Sequence, residues 1–363
     1  MLLRTAAALF CLAMSCTAAP AEPPAAPAPT TPQPSAITPS ATVDTSPLIH
    51  EGIMNAPPAE VWKVFSTPEG FKAFGVAHCD MDFRPGGLIR THYDPKGVLG
   101  DPGNIQNRIL AYEPQRVLAM RIDTPPAGFP FMNAYKDTWS VVTLTDLGDG
   151  RTLVRFAGMG YTSDPESQKM RAFFQTGNDW SMKKLQSHFD ASVKAAPPSQ
   201  AHADNPLAPI IHSVTVNAPR ADVWKSISSG EGWKSFLGVE NKIELRPGGP
   251  FELYFGSTTP GERGSEGCTV LSYVPERMLS FTWNAPPKFA HARAERTWVV
   301  ISLEDAGPGK TLVRLEQFGF TEQVAAHPDY ADQWKQVRAY FQNAWGRVLG
   351  ALKDHFEPDA KAE

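Results

Sequence analysis

Four cysteines and nine histidines are the residues of this 363-residue chain best suited to nucleophilic or metal chemistry, and their spacing decides what they can do. Cys11 and Cys16 fall in the first 21 residues, while Cys79 and Cys268 lie far apart in the body of the chain. No His-x-x-x-His or His-Glu-x-x-His spacing occurs, and no cysteine pair accompanies the histidines, so a metal site is not expected. No Gly-x-Ser-x-Gly elbow is present, and the pairs Gly86-Gly87 and Gly248-Gly249 lack the Lys-Ser or helix start of a phosphate cradle. Catalytic residues and cofactors are therefore without a motif. An acid–base pair would have to be assembled by the fold from distant strands.

The bulk properties narrow the classes further. The chain carries 34 basic and 38 acidic residues, a net charge of −4, which disfavours a nucleic-acid surface. Residues 1–21 read as a secretory signal: Arg4 supplies the positive start, Thr5 to Ser15 the short apolar run, and small residues follow. Two processing routes fit, cleavage after small residues near Ala18 or Ala21, or lipidation of Cys16 within the lipobox-like Leu12-Ala13-Met14-Ser15-Cys16. Residues 22–47 form a spacer rich in Pro, Ala and Thr that cannot bury a core. The expectation is an exported protein of a bacterial envelope, periplasmic or held to the membrane through Cys16. A single disulfide between Cys79 and Cys268 remains open beside the reading of both as small buried hydrophobes.

An internal repeat sets the architecture. Asn55-Ala56-Pro57…Val61-Trp62-Lys63 returns as Asn217-Ala218-Pro219…Val223-Trp224-Lys225, and Arg84-Pro85-Gly86-Gly87 as Arg246-Pro247-Gly248-Gly249, both 162 positions later. Thr138-Trp139 matches Thr297-Trp298, and Thr152-Leu153-Val154-Arg155 matches Thr311-Leu312-Val313-Arg314, at an offset of 159. His50 and His188 recur as His212 and His355. Two domains follow, 48–194 and 210–357, joined by a Pro-containing linker over 195–209. Because that linker is short of apolar residues, little core is expected to pass between them. In the second copy, alternation predicts a strand over 210–216, a helix from Pro219, and a short helix over 231–237. Six strands between 242 and 319 and a closing helix over 329–356 complete it. Phe341, Trp345, Leu349, Leu352 and Phe356 make one face of that helix, around which an antiparallel sheet must curl.

These residues resemble the helix-grip, START-like superfamily of polyketide cyclases and lipid-transfer proteins, and within it the domain of activators of the heat-shock protein 90 ATPase. The strand followed by Asn-Ala-Pro-x-x-x-Val-Trp, the Arg-Pro-Gly-Gly turn, Pro114–Leu118 with Pro275–Leu279, the Gly150–Val154 and Gly309–Val313 hairpins and the closing helix carry the resemblance. It implies an α+β fold of two tandem helix-grip domains, each with a cavity between sheet and helix for a hydrophobic or amphipathic small molecule. An envelope chaperone or interaction protein, and a cyclase- or hydrolase-like enzyme, are the alternatives.

Within such a cavity the copies differ. Arg90 and His92 align with Glu252 and Tyr254, so inward-facing side chains would make one cavity basic and the other acidic; outward-facing ones are ordinary strand residues. Trp283 and Trp345 are expected at the second cavity, with the loop Ala285–Phe289 at its mouth. His50 and His212, on the first strand of each copy, are expected to approach the closing helix, as a structural pair or as ligand contacts. Trp139 and Arg155, like Trp298 and Arg314, are expected to stack diagonally across a hairpin.

Overall fold

Each Asn-Ala-Pro motif ends a strand and opens a helix, and the repeat explains itself there. The Thr152 hydroxyl, fully buried, donates to the Ala56 carbonyl at 2.7 Å, and Thr311 donates to Ala218 at 2.8 Å. Proline fits the helix start because its missing N–H had no partner there. The Arg-Pro-Gly-Gly turn is fixed by the backbone. Gly86 and Gly248 adopt φ of 82° and 77°, and a Cβ on Gly87 or Gly249 would lie 2.0 or 2.4 Å from a carbonyl oxygen.

The structure, a computed structural model, describes residues 43–190 and 205–357. The signal segment 1–21 with Cys16, the spacer up to residue 42 and residues 195–204 of the linker lie outside the described residues.

The first domain runs β1 (Leu48–Met54), α1 (Pro58–Ser66), α2 (Pro68–Phe71), β2 (His78–Met81), β3 (Leu88–His92), β4 (Ile105–Glu113), β5 (Val117–Thr124), β6 (Trp139–Asp146), β7 (Thr152–Met159) and α3 (Pro165–Asp190). Its seven strands form one antiparallel sheet in the order β1-β7-β6-β5-β4-β3-β2. The second domain repeats the order: β8 (Ile210–Val216), α4 (Arg220–Ser228), α5 (Gly230–Leu237), β9 (Glu240–Ile243), β10 (Phe251–Tyr254), β11 (Val270–Val274), β12 (Met278–Trp283), α6 (Ala290–Ala294), β13 (Thr297–Asp305), β14 (Thr311–Phe318), α7 (Phe320–Ala326) and α8 (Ala331–Phe356). Five strands, β11-β12-β13-β14-β8, make its main sheet and β9-β10 a separate ribbon, joined through a bridge between Pro250 and Thr269. The α+β architecture and the closing helices follow the sequence pattern. The short helices α6 and α7 do not; they sit where only loop and strand ends were expected.

The two domains pack sheet against sheet. Trp139 Nε1 donates to the Tyr273 carbonyl at 3.0 Å, and Trp298 Nε1 donates to the Tyr112 carbonyl at 2.8 Å. These residues occupy matching repeat positions, so the contacts are reciprocal, as in an isologous dimer. Val274, Met278, Trp298, Val300 and Phe318 of the second domain belong to the same buried apolar cluster as the first domain's core. The expectation of little shared core therefore fails, because the junction is built from strand faces rather than from the linker. The Trp–Arg stacks fail with it. The register sets Trp139 opposite Met159 and Arg155 opposite Thr143, and both tryptophans turn to the other domain.

Candidate functional site

The face of α8 that carries Phe341 and Trp345 does not close fully on the sheet. Between α8, α5, β10, β12 and the loop after β12 lies a cavity of about 370 Å³. Six aromatic side chains wall it, Trp233, Phe255, Trp283, Tyr340, Phe341 and Trp345, with Ala344 and Val348 between them on the helix. Trp283 and Trp345 meet at 5.0 Å between ring centroids, and Phe341 follows Trp345 at 6.3 Å. Ala285, Pro286 and Pro287 form one lip. The charged residues along the lining are Glu262 and Arg347, both exposed.

A buried relay fixes the inner wall. Trp345 Nε1 donates to Gln317 Oε1 at 2.7 Å, Gln317 Nε2 donates to Thr297 Oγ1 at 2.9 Å, and Thr297 Oγ1 donates to the Trp283 carbonyl at 3.0 Å. Gln317 and Thr297 are both buried. One tryptophan ring is thereby anchored through its N–H and the other through its backbone. A wall built this way holds its shape when empty, which lowers the ordering that binding would require. Pockets of this size and lining receive apolar bodies.

In the first domain a space of about 20 Å³ lies where the second domain has its buried relay, lined in part by Ile122, Phe174 and Asn178. By the repeat offsets these stand where the second domain has Trp283, Phe341 and Trp345, and Gly158 stands for Gln317. Phe129 and Phe131, from the loop matching the cavity lip, turn inward and pack on Phe173 at 6.3 and 5.5 Å. Two copies of one fold thus hold one open cavity and one filled by aromatic rings.

The structure separates the residues expected at the cavities. Trp283 and Trp345 line the open one. Arg90 does not face inward: it pairs with Asp80 at 2.9 Å on the sheet surface. His92 is buried but serves the loop after β3, its Nε2 2.9 Å from Asp101 and its Nδ1 accepting from the Asp94 N–H. Gly97 and Gly103 let that loop close over the ring, since a Cβ on either would fall within 2.5 Å of it. In the second domain, Glu252 accepts from the Tyr254 hydroxyl at 2.6 Å and from the Gly267 N–H at 2.8 Å. The Arg263 guanidinium lies 4.3 Å over the Tyr254 ring, and burial together with Glu252 pushes the phenol up to about 12. None of these four residues builds a basic or an acidic cavity.

His50 and His212 reach the closing helices, as backbone braces. His212 Nε2 lies 2.7 Å from the Gln342 carbonyl and His50 Nε2 3.2 Å from the Gln175 carbonyl. Burial lowers the proton affinity of His50, and Asp179 opposes that shift. Cys79 and Cys268 are both free thiols, raised by burial to about 12 and about 11. Among the described residues no group of three His, Cys, Asp or Glu could hold a metal ion.

Comparison with known proteins rests on this geometry. The family described as Activator of Hsp90 ATPase homolog 1-like protein matches residues 55–190 and again 217–357. The chain belongs to this family, twice over. No curated protein matches it. Among solved structures, the di-domain ARO/CYC BexL from the BE-7585A biosynthetic pathway is 13% identical, covering 86% of this chain and 98% of its own, at a TM-score of 0.33. The Aha1 dimer from Colwellia psychrerythraea is 15% identical over 40% of this chain and 94% of its own, TM-score 0.31. Protein MLL2253 from Mesorhizobium loti is 20% identical over 40% and 98%, TM-score 0.31.

For a tandem member of the family, the residues that distinguish its halves are the informative ones. Sequence reasoning missed Trp233, Phe255 and Ala344 as lining residues. The signal available was pairwise: Trp345 against Asn178, and Gln317 against Gly158, are large changes at aligned positions of one chain.

Proposed function

We propose that this protein binds a planar, apolar small molecule in its second domain, while the first domain serves as a docked scaffold. The observation that carries this reading is the cavity of about 370 Å³ walled by six aromatic rings, at a place where the first domain packs Phe129 and Phe131 of the matching loop against Phe173. Aromatic walls favour an aromatic ligand over a flexible chain, because offset stacking adds to area burial and a rigid ligand loses less entropy. The lining offers no acid–base pair in its interior, which favours binding over turnover. Part of each outer sheet face, a surface a chaperone-like reading would need, is covered by the other domain.

Export belongs to the same proposal. The leader and the proline-rich spacer support a binding domain displayed in the envelope, with Cys16 as the lipidated anchor. Palmitate labelling that disappears in Cys16→Ala supports the anchor, and labelling that persists removes it.

Titration of the full chain with 2-ethylnaphthalene, followed by quenching of tryptophan fluorescence, tests the cavity. Saturable binding that Ala344→Phe abolishes is the expected result, since that side chain would enter the cavity from α8. Decanoate should bind more weakly. Equal binding by the filled variant would refute the site.

A further inference from the structure

The interface between the domains is reciprocal in its tryptophans and unequal in its charges. On one side, Arg116 and Arg314 face three acidic side chains, of which Glu304 and Glu316 carry the compensating charge and Glu113 keeps its proton. Arg116 pairs with Glu113 at 2.6 Å and also with Glu304, and Arg314 pairs with Glu316. The side chains of Glu113 and Glu316 are 1% and 3% exposed. The repeat offsets of 161 and 159 carry this arrangement to the other side, where Arg277 and Arg155 stand for Arg116 and Arg314. Both arginines are kept, and all three acidic side chains are gone. Val274 stands for Glu113, Ala157 for Glu316, and Thr145 for Glu304.

The lost side chains leave space. A cleft of about 100 Å³ opens between the sheets, and Arg155, Arg277, Val274, Ala157 and Thr145 all line it. Arg155 gives one nitrogen to Glu51 at 2.7 Å. Arg277 makes no side-chain hydrogen bond or ion pair among the described residues. The acids closest in influence, Glu51 and Asp305, are already held by Arg155 and Arg220, the latter at 2.8 Å. Arg277 is exposed at the cleft, and partial burial, then Arg155 and Arg220, lower its guanidinium from its usual range. Glu304 is the carboxylate on the cleft's lining, and Arg116 holds it.

We propose that this cleft binds a small oxyanion, a phosphate group or a carboxylate, which bridges Arg155 and Arg277 across the two domains. The anion takes the place that Glu113 and Glu316 fill on the other side. Guanidinium forks match both oxyanions, and such charge-assisted bonds are the strong ones. Because Arg155 belongs to one domain and Arg277 to the other, an anion there also stabilises the docked arrangement. The site is separate from the aromatic cavity, so either can fail without the other.

Isothermal titration calorimetry of the full chain with inorganic phosphate, at ionic strength held constant with sodium chloride, tests it. One saturable site per chain is expected. Arg277→Gln should weaken it by about tenfold or more, the loss of one charge-assisted partner. Ala157→Glu supplies the missing carboxylate from within; it should remove phosphate binding and raise the melting temperature. An acetate titration separates the sources, tighter phosphate pointing to a phosphate group and tighter acetate to a carboxylate. Absence of a saturable site for either anion, or phosphate binding unchanged in both variants, overturns the proposal.

Discussion

Removing the indole N–H of Trp345 while keeping an aromatic ring isolates what holds the cavity wall. In Trp345→Phe the ring still packs against Trp283 and Phe341, but the Gln317 Oε1 that accepted at 2.7 Å is left buried with no donor. An orphaned buried acceptor costs about 1–3 kcal/mol. Trp345→Ala loses the same bond and the ring's packing, for which large-to-small core changes cost about 3–5 kcal/mol. The double variant Trp345→Phe, Gln317→Leu removes both partners of that bond but also the donor to Thr297 Oγ1, whose hydroxyl keeps its bond to the Trp283 carbonyl, so it should regain only part of the single variant's loss. Urea unfolding followed by circular dichroism measures all three. A Trp345→Phe variant within about 0.5 kcal/mol of the parent would refute the relay.

Two further outcomes follow from the domain interface. Burial and the facing Glu316 hold the Glu113 carboxyl well above the ordinary glutamate value of 4.5, so the folded state keeps a proton that the unfolded chain releases. That contribution is complete below the ordinary value and is lost as pH rises through the folded one, so Glu113→Gln, which fixes a neutral group, should lose less stability between about pH 5 and about pH 9 than the parent; equal slopes would contradict it. Fragments 43–190 and 205–357, expressed apart, expose the faces around Trp139 and Trp298, and sedimentation should show them binding each other when mixed. Two fragments that stay monomeric in the mixture would mean that the shared cluster contributes little.

The fold was legible because its signals are local or periodic. The Asn-Ala-Pro strand ends, the Arg-Pro-Gly-Gly turns and the four-residue spacing from Phe341 to Trp345 and Leu349 each state their structure within a few residues. The domain contact was hidden for the opposite reason. Trp139 and Trp298 read as strand residues whichever way they face, and only a three-dimensional arrangement brings each to the other's partner strand. The site was half legible: Trp283 and Trp345 stood out by size and repeat position. Arg90 and Glu252 misled because strand alternation assigns a face without saying which face the helix covers. His50 and His212 gave a sound direction, toward the closing helix, but their partners are backbone carbonyls, to which sequence gives no clue.

Native mass spectrometry of the chain purified without denaturation from the cells that make it addresses the central claim most directly. The account predicts one small aromatic molecule per chain, retained by the 205–357 half and absent from Ala344→Phe. Two molecules per chain, retention by the 43–190 half, or an empty parent protein would contradict it.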